Sequence, residues 1–363
     1  MSASATMPQT PLPTVTVEEF RDIFQRVRGE IAKVLLGQET VVEQLLAAIF
    51  AGGHVLLRGM PGLGRTLLVK TLAQVLGLDY RRIQFTPDLL PTDIVGSEVL
   101  EHHAVTGERQ FRFFRGPVFT QLLLADEINR SPTRTQNTLL EVMQERQVTV
   151  GGQTHRLPEP FILVATQNTL DTEGVFPLGE AQLDRFLMMI DQGYPTADDE
   201  KQMLAATTGT LQCRPERVTG PETVLAMQRL AREVPVVPSV RDFALAIVRG
   251  SRPGEAEAVR GLAGRIRLGA SPRATQALLL AGKVLALARG RRHLTRQDII
   301  DVAPGVMAHR LLVDLHAAAE GLTARRALAT LIANARETAA PRLSRWTGEL
   351  LTPYRTSHKE PPS

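Results

Sequence analysis

The strongest constraint on the fold is a glycine-rich turn between a short apolar run and a segment with helical spacing. The apolar run covers residues 54–57, and the helical pattern covers residues 67–73. A strand, a glycine turn and a helix N-terminus together form a phosphate cradle, because backbone N–H groups and the helix dipole both favour an anion. We therefore predict a nucleotide site formed by Gly59, Pro61, Gly62, Leu63, Gly64, Arg65, Thr66 and Leu67.

This turn departs from the usual phosphate-loop pattern at one position. The pattern G-x-x-x-x-G-K-[ST] has a lysine where this chain has Arg65. Arginine keeps the positive charge, but its planar guanidinium is wider than an ammonium group and fits differently between the β- and γ-phosphates. Thr66 stands where a hydroxyl can ligate Mg²⁺. On this segment alone, an ordinary strand-to-helix turn remains an alternative.

Two adjacent carboxylates follow a second apolar run, residues 122–125. Asp126 is a candidate ligand for Mg²⁺, usually through water, when that ion bridges the β- and γ-phosphates. Glu127 is a candidate general base that polarises the attacking water. A pair of solvated carboxylates is the alternative interpretation, and the glycine turn earlier in the chain weakens it.

Apolar strand candidates alternate with helical patterns through the first half of the chain. This alternation predicts an α/β fold, an αβα sandwich whose parallel sheet is covered on both faces. Ligands of such sheets bind beyond the carboxyl ends of the strands. Besides the two apolar runs above, the strand candidates are residues 82–85, 161–165 and 186–190, with an inserted excursion at 92–118 and a hairpin at 147–156.

Past residue 195 the strand patterns stop and helical patterns continue. Further helices are predicted near residues 221–233, 239–249, 272–289, 296–313 and 323–337. The predicted organisation is a flexible leader (1–16), a nucleotide-binding αβα domain (17–192), an all-helical lid (193–337) and a C-terminal tail (338–363). Helix starts are expected at Thr16 with Glu19 in a capping box, and at Ser131 as an N-cap residue.

Composition is that of an ordinary globular protein. The chain has 363 residues, which favours two domains, and it is 43% hydrophobic and 22% charged. Its net charge of +4 is too mild to indicate nucleic-acid binding by itself. Cys213 is the single cysteine, which excludes an intramolecular disulfide and favours the cytoplasm. No transmembrane segment is predicted.

Several motifs, in order along the chain, resemble those of the MoxR family of AAA+ ATPases. They lie at residues 82–91, 124–130, 165–168 and 177–186, and the resemblance extends over residues 18–335. It implies an AAA+ P-loop domain followed by a helical lid. It also implies ATP or ADP and Mg²⁺ as ligands.

The resemblance assigns roles to particular residues of this chain. Asn168 corresponds to the sensor 1 group that orients the hydrolytic water. Arg185 corresponds to the arginine finger, which reaches the γ-phosphate of a neighbouring subunit, and Arg273 to sensor 2. Gly37 and Gln38 match the segment that lines the adenine pocket.

The family also implies partners. We expect a homo-oligomeric ring, a hexamer, that hydrolyses ATP to remodel, mature or assemble client proteins, together with a protein carrying a von Willebrand factor A domain. Arg130 is a further candidate for a residue that acts on a neighbouring subunit. No direct contact with nucleic acid is expected.

Arg65 leaves three outcomes open: slow hydrolysis, tight ATP binding with little turnover, or loss of nucleotide binding. The second outcome corresponds to a nucleotide-gated scaffold instead of an active ATPase. A nucleic-acid motor is another alternative, although the hairpin at 147–156 offers only His155 and Arg156 as basic residues and has no aromatic residue for stacking.

Overall fold

The computed structural model describes residues 13–102, 109–170, 174–208 and 214–338. The N-terminal part of the predicted leader, Cys213 and the tail from residue 339 onward lie outside these ranges. The helices are α1 Val17–Ala32, α2 Glu39–Phe50, α3 Arg65–Leu76, α4 Pro91–Val95, α5 Thr133–Glu145, α6 Glu180–Leu183, α7 Ala197–Thr208, α8 Pro221–Glu233, α9 Pro238–Gly250, α10 Pro272–Ala288, α11 Arg296–Met307, α12 Leu315–Ala319 and α13 Ala324–Thr338. The strands are β1 Val55–Gly59, β2 Tyr80–Gln84, β3 Gly96–His102, β4 Arg109–Arg115, β5 Leu122–Asp126, β6 Gln147–Val150, β7 Gln153–Arg156, β8 Ile162–Asn168, β9 Met188–Gln192, β10 Ile266–Leu268 and β11 Leu312–Val313.

A five-stranded parallel sheet lies at the centre of the first half, in the order β2-β5-β8-β1-β9. The predicted parallel sheet is therefore confirmed. Gly59 at the end of β1 pairs with Asn168 of β8 on one side and with Gln192 of β9 on the other. Because all five strands run in one direction, their carboxyl ends form one edge of the sheet, the carboxyl edge. Their starts form the opposite edge, the amino edge.

Both faces of the sheet are buried, as the continuous apolar strands require. Successive side chains of a strand point to opposite faces. Val55 and Leu57 of β1 therefore pack with α1, α2 and the C-terminal helices, while Leu56 packs with α4 and α5. The C-terminal helices and α1 and α2 thus belong to one continuous apolar core.

The C-terminal half is the predicted helical lid, with a short addition. Strands β10 and β11 form an antiparallel ribbon that the sequence patterns did not predict. The helix predicted over 296–313 ends at Met307 and is followed by a 3₁₀ turn, Ala308–Arg310. Residues 312–313, which were predicted to be helical, instead form β11 and pair with β10.

One of the two predicted helix starts is confirmed and the other is wrong. Thr16 Oγ1 accepts the Glu19 N–H at 3.2 Å, and the Glu19 carboxylate accepts the Thr16 N–H at 2.8 Å. Ser131 does not cap α5, because it follows a 3₁₀ turn in extended conformation and precedes the N-cap position, which Pro132 occupies. Its hydroxyl is buried without a hydrogen-bond partner among the described residues.

Two hairpins project from the sheet domain. The predicted excursion at 92–118 contains α4 and the β3–β4 hairpin. The predicted hairpin at 147–156 is β6–β7, whose turn residues Gly151 and Gly152 both have positive φ. No helix within the described ranges has the length and apolar character needed to cross a membrane.

His54, at the start of β1, is buried and neutral. Its Nδ1 lies 3.0 Å from the Leu163 backbone nitrogen and accepts that N–H. Its Nε2 lies 3.2 Å from the Met143 carbonyl oxygen and donates to it. Burial lowers the pKa of His54 from 6.5 to about 3, and the positive charge of Arg146 contributes in the same direction.

This shift predicts a pH-dependent stability. The unfolded chain binds a proton at His54 below pH 6.5, whereas the folded chain does not until about pH 3, so stability falls as the pH decreases through that window. Between about pH 7.5 and about pH 5.5, His54 should account for a loss of about 1.4 kcal/mol. Urea unfolding of His54→Gln should show a smaller loss by that amount, and the exposed His316→Gln control should match the wild type. An unchanged pH dependence in His54→Gln would contradict this account.

Candidate functional site

The glycine turn joins β1 to α3 at the carboxyl edge. Gly62 and Gly64 have φ of 84° and 74°, in the left-handed region that favours glycine. A Cβ atom placed on Gly62 would meet no atom within 4 Å, so it is the backbone conformation and not crowding that favours glycine there. Gly64 is the N-cap residue of α3, and the first N–H groups of that helix face the turn. This geometry suits a polyphosphate.

Arg65 binds the backbone of the turn itself. Its guanidinium donates to the carbonyl oxygens of Gly59 at 3.2 Å, Met60 at 2.7 Å and Gln167 at 2.9 Å. Burial lowers its pKa below the ordinary arginine value, and the nearby carboxylates of Asp126 and Glu127 oppose that shift. The positive charge of Arg65 thus lies beside the cradle, and its planar guanidinium joins the turn to the end of β8.

A pair of buried amides supports the turn from below. Gln192 Nε2 donates to the Leu63 carbonyl at 2.7 Å and to Gln38 Oε1 at 2.7 Å. Gln38 Nε2 also donates to the Leu63 carbonyl, at 3.1 Å. A Cβ on Gly37 would lie 2.4 Å from the side chain of Asp199. Gln38 therefore holds the turn. Gln192 was not predicted from the sequence as a residue of the site. Its place at the end of β9, a strand that pairs with β1, is the signal that could have identified it.

Asp126 and Thr66 lie together at the carboxyl edge. The Thr66 hydroxyl lies 3.3 Å from one Asp126 oxygen, and the buried Thr166 hydroxyl donates to the other at 2.6 Å. A hydroxyl and a carboxylate this close are the hard oxygen ligands that Mg²⁺ prefers. In the part of the chain that the structure describes, no group of three or more His, Cys, Asp or Glu side chains could hold a metal ion. These two oxygens therefore fit a Mg²⁺ ion that takes its other ligands from phosphate and water.

Arg82, on the neighbouring strand β2, pairs with the same carboxylate. Its Nε and Nη2 lie 3.0 and 2.7 Å from the Asp126 oxygen that Thr66 also contacts. Its Nη2 also donates to Gln84 Oε1 at 2.6 Å. Arg82 begins the family motif at residues 82–91, to which no role was assigned from the sequence. The register of β2 and β5, which pairs Gln84 with Asp126, brings it here.

Glu127 is held in a constrained conformation next to Asp126. Its φ of 58° is left-handed, and its N–H donates to the Thr166 hydroxyl at 2.8 Å. One carboxylate oxygen accepts from Gln84 Nε2 at 2.8 Å and lies 3.2 Å from Arg130 Nε. Glu127 is therefore fixed at the carboxyl edge by two donors. Arg130 contacts the Glu127 of its own chain.

Asn168 ends β8, directly beside Gly59. Its side-chain oxygen accepts the Leu170 N–H at 3.1 Å, and its backbone oxygen lies 3.4 Å from Asn129 Nδ2. The side chain is buried beside the glycine turn. Asn168 thus shares the carboxyl edge with the cradle, Asp126 and Glu127, as expected for residues that follow parallel strands.

Arg185 and Arg273 lie at the amino edge. Arg185 precedes β9, and Arg273 is in the first turn of α10. Both line a cavity of about 280 Å³ together with Gly53, His54 and Arg146. The structure therefore brings these two arginines together and separates them from the glycine turn of the same chain.

The cavity is strongly cationic. Its described lining contains four arginines, Arg146, Arg185, Arg273 and Arg310, and one carboxylate, Asp184. Arg310 is paired with that carboxylate at 2.8 Å. Neither Arg185 nor Arg273 forms a side-chain hydrogen bond or ion pair with any described residue. Two unpaired guanidinium groups at an open cavity are suited to bind an anion.

Taken together, the parallel sheet, the glycine cradle, the strand-end carboxylates and the helical lid define a P-loop ATPase of the AAA+ class. The family model described as "ATPase family associated with various cellular activities (AAA)" matches residues 54–188, and the model of the AAA lid domain matches residues 262–331.

Comparison with known proteins identifies the family. The chain is 40% identical over 300 residues to Chaperone MoxR1 of Mycobacterium tuberculosis, covering 83% of this chain and 78% of that protein. It is 32% identical over 316 residues to Protein MoxR of Methylorubrum extorquens, covering 82% and 89%. A solved structure of a presumed ATPase from Cytophaga hutchinsonii has a TM-score of 0.80 and 36% identity, covering 88% and 96%. This chain belongs to the MoxR family of AAA+ ATPases.

The buried amide pair below the turn predicts a selective loss of nucleotide affinity. Gln192→Leu keeps the approximate volume but leaves the Leu63 carbonyl with one donor and Gln38 Oε1 with none. An unpaired buried acceptor costs about 1–3 kcal/mol. Because this cost falls on the conformation in which the turn is held for nucleotide, that conformation becomes less populated and ATP binds more weakly. We expect roughly 10-fold weaker binding of a fluorescent ATP analogue, a loss of about 1.4 kcal/mol. The exposed Gln297→Leu control on α11 should bind like the wild type, and equal affinity in both variants would contradict a supporting role for Gln192.

Proposed function

We propose that this chain is a magnesium-dependent ATPase that works in a ring of its own copies and uses ATP to remodel or assemble client proteins. Support for ATP comes from the cradle at the carboxyl edge and from the AAA+ family match. Support for a protein client comes from the name of the mycobacterial relative, which is called a chaperone.

The observation that carries the proposal is the separation of the two halves of the site. His54 at the amino edge and Gly59 in the cradle are the two ends of β1, roughly 16 Å apart at about 3.3 Å per residue. Arg185 and Arg273 lie at the His54 end. They cannot bind a γ-phosphate held in their own cradle in this conformation. A neighbouring copy that places its cradle against this edge completes the site for both arginines.

In this proposal, the main residues of the site have defined roles. Thr66 and Asp126 would hold Mg²⁺, which supplies positive charge to the β- and γ-phosphates. Glu127 accepts a proton from the attacking water, and Asn168 orients that water. Arg185 of the adjacent copy neutralises the charge that develops on the transferred phosphoryl group.

The remaining features of the proposal follow from the family resemblance. They are a hexameric ring and a partner with a von Willebrand factor A domain. We further propose a hinge between the sheet domain and the lid at residues 191–196. The proposed compartment is the cytoplasm, which fits a chain with a single cysteine. ATP turnover would move the lid, and the ring would transmit that motion to the client.

A nucleotide-gated scaffold with little turnover is a second candidate, and the contacts of Arg65 favour it. Its guanidinium is bound to three carbonyl oxygens of the turn and of β8. Reaching a γ-phosphate would require it to give up some of these bonds. ATP would then serve mainly as a ligand that stabilises one conformation.

Arg65→Lys separates the two candidates. A lysine can reach the phosphates as a compact ammonium group and makes no planar fork to the turn. If Arg65 limits hydrolysis, phosphate release should rise about 10-fold or more, a change of about 1.4 kcal/mol in the barrier. If the substitution leaves turnover unchanged, Arg65 does not limit hydrolysis, and the scaffold loses the observation that favours it. The exposed Lys70→Arg variant on α3 is the matched control.

Arg185→Ala tests the shared site. Loss of an arginine supplied by a neighbour costs about 10³–10⁵ in turnover in other nucleotide hydrolases, and we expect a fall of at least about 10³. The affinity for a fluorescent ATP analogue should stay within about 2-fold, because the cradle lies at the other edge. The exposed Arg229→Ala variant on α8 is the control. Wild-type turnover in Arg185→Ala, or full activity per chain in a preparation shown to be monomeric, would refute a site built between copies.

A further inference from the structure

Asp184 connects the segment that carries Arg185 to the lid. It follows the short helix α6 and immediately precedes Arg185. Its carboxylate accepts from Arg310 Nε at 2.8 Å, and both of its oxygens lie within 3.0 Å of the Ser271 hydroxyl. Arg310 and Ser271 both belong to the lid. One carboxylate of the sheet domain therefore binds two separate lid segments.

Arg310 fixes the backbone on both sides of Arg185. The residue is 6% exposed, and its Nη2 donates to the carbonyl oxygens of Asp184 at 3.0 Å and Phe186 at 2.7 Å. Its Nη1 donates to Leu187 at 3.3 Å. Burial lowers the pKa of Arg310, and the Asp184 carboxylate opposes that shift. The conformation of the Arg185 segment therefore depends on a buried cation that Asp184 neutralises.

Ser271 makes the corresponding link to Arg273. As the N-cap residue of α10, its hydroxyl oxygen accepts the Arg273 N–H at 3.2 Å. The same hydroxyl has one proton, which it donates to Asp184. The start of α10 is thus attached to the carboxylate that also orders the Arg185 segment.

We propose that Asp184 is a positioning residue that sets Arg185 and Arg273 relative to each other, so that both enter the nucleotide site of the neighbouring subunit as one unit. The proposal rests on the shared site proposed above. Asp184 acts through Arg310 and Ser271. When the lid moves, this carboxylate moves the arginine-bearing segment with it.

Asp184→Asn tests the proposal, since asparagine keeps the shape and removes the charge that Arg310 requires. We expect turnover to fall at least about 10-fold, with the affinity for a fluorescent ATP analogue within about 2-fold of wild type. The control is Glu18→Gln. Glu18 joins α1 to the lid through Arg292, without contacting the Arg185 segment. An equal loss in both variants would overturn a specific role for Asp184.

Mixing subunits separates misplacement from misfolding. Asp184→Asn chains keep an intact cradle, and Glu127→Gln chains keep intact arginines. A junction in which an Asp184→Asn chain supplies the cradle and a Glu127→Gln chain supplies the arginines therefore has every wild-type group. Random mixing in a ring should form such junctions at roughly a quarter of the interfaces, and turnover should exceed that of either variant alone. Failure to recover would show general damage and overturn the proposal.

Ser271 provides a milder pair of variants. Ser271→Ala removes the link to Asp184 and should lower turnover about 3- to 10-fold, while Ser271→Thr keeps the hydroxyl and should restore it. Equal turnover in Ser271→Ala and the wild type would overturn the link through the lid. Arg185→Ala identifies which claim fails: wild-type turnover there refutes the shared site. A defect in Arg185→Ala without one in Asp184→Asn refutes only the role of Asp184.

Discussion

The common direction of the five central strands is the constraint on which the rest of this structure depends. A parallel sheet has two chemically different edges, because every strand ends at one and begins at the other. The groups that follow the strands, among them the glycine turn, Asp126 and Asn168, converge at the carboxyl edge. The group that precedes the last strand, Arg185, lies at the opposite edge. In the ring that we propose, each chain therefore carries two incomplete halves of a site on opposite sides.

The lid belongs to this arrangement because it shares a core with the sheet domain. Residues of α1, α2, β1 and the lid helices pack in one continuous apolar cluster, so the lid is held on one face of the sheet. That packing brings α10 to the amino edge, and Asp184, Arg310 and Ser271 then form polar links across the junction. Burial of Arg310 makes the link strong, since an unpaired buried cation is costly.

Much of the fold could be predicted from local patterns. The apolar strands, the capping box at Thr16 and the helix predicted near residues 272–289 are decided by neighbours in sequence, and each was confirmed. Ser131 was misplaced because a 3₁₀ turn, stabilised by tertiary contacts, moved the helix start beyond it. The β10–β11 ribbon was missed because its strands are too short for a periodic pattern.

The sequence by itself determined the chemistry that is local: a glycine turn able to hold phosphates, an aspartate and a glutamate after a strand, and an arginine in place of lysine at position 65. Only the tertiary structure decided what those groups touch. Strand register brought Arg82 to Asp126, and chain folding brought Gln192 beneath Leu63 and Arg273 beside Arg185. These contacts join residues far apart in the chain, and a spacing rule in sequence cannot specify them because it describes neighbours alone.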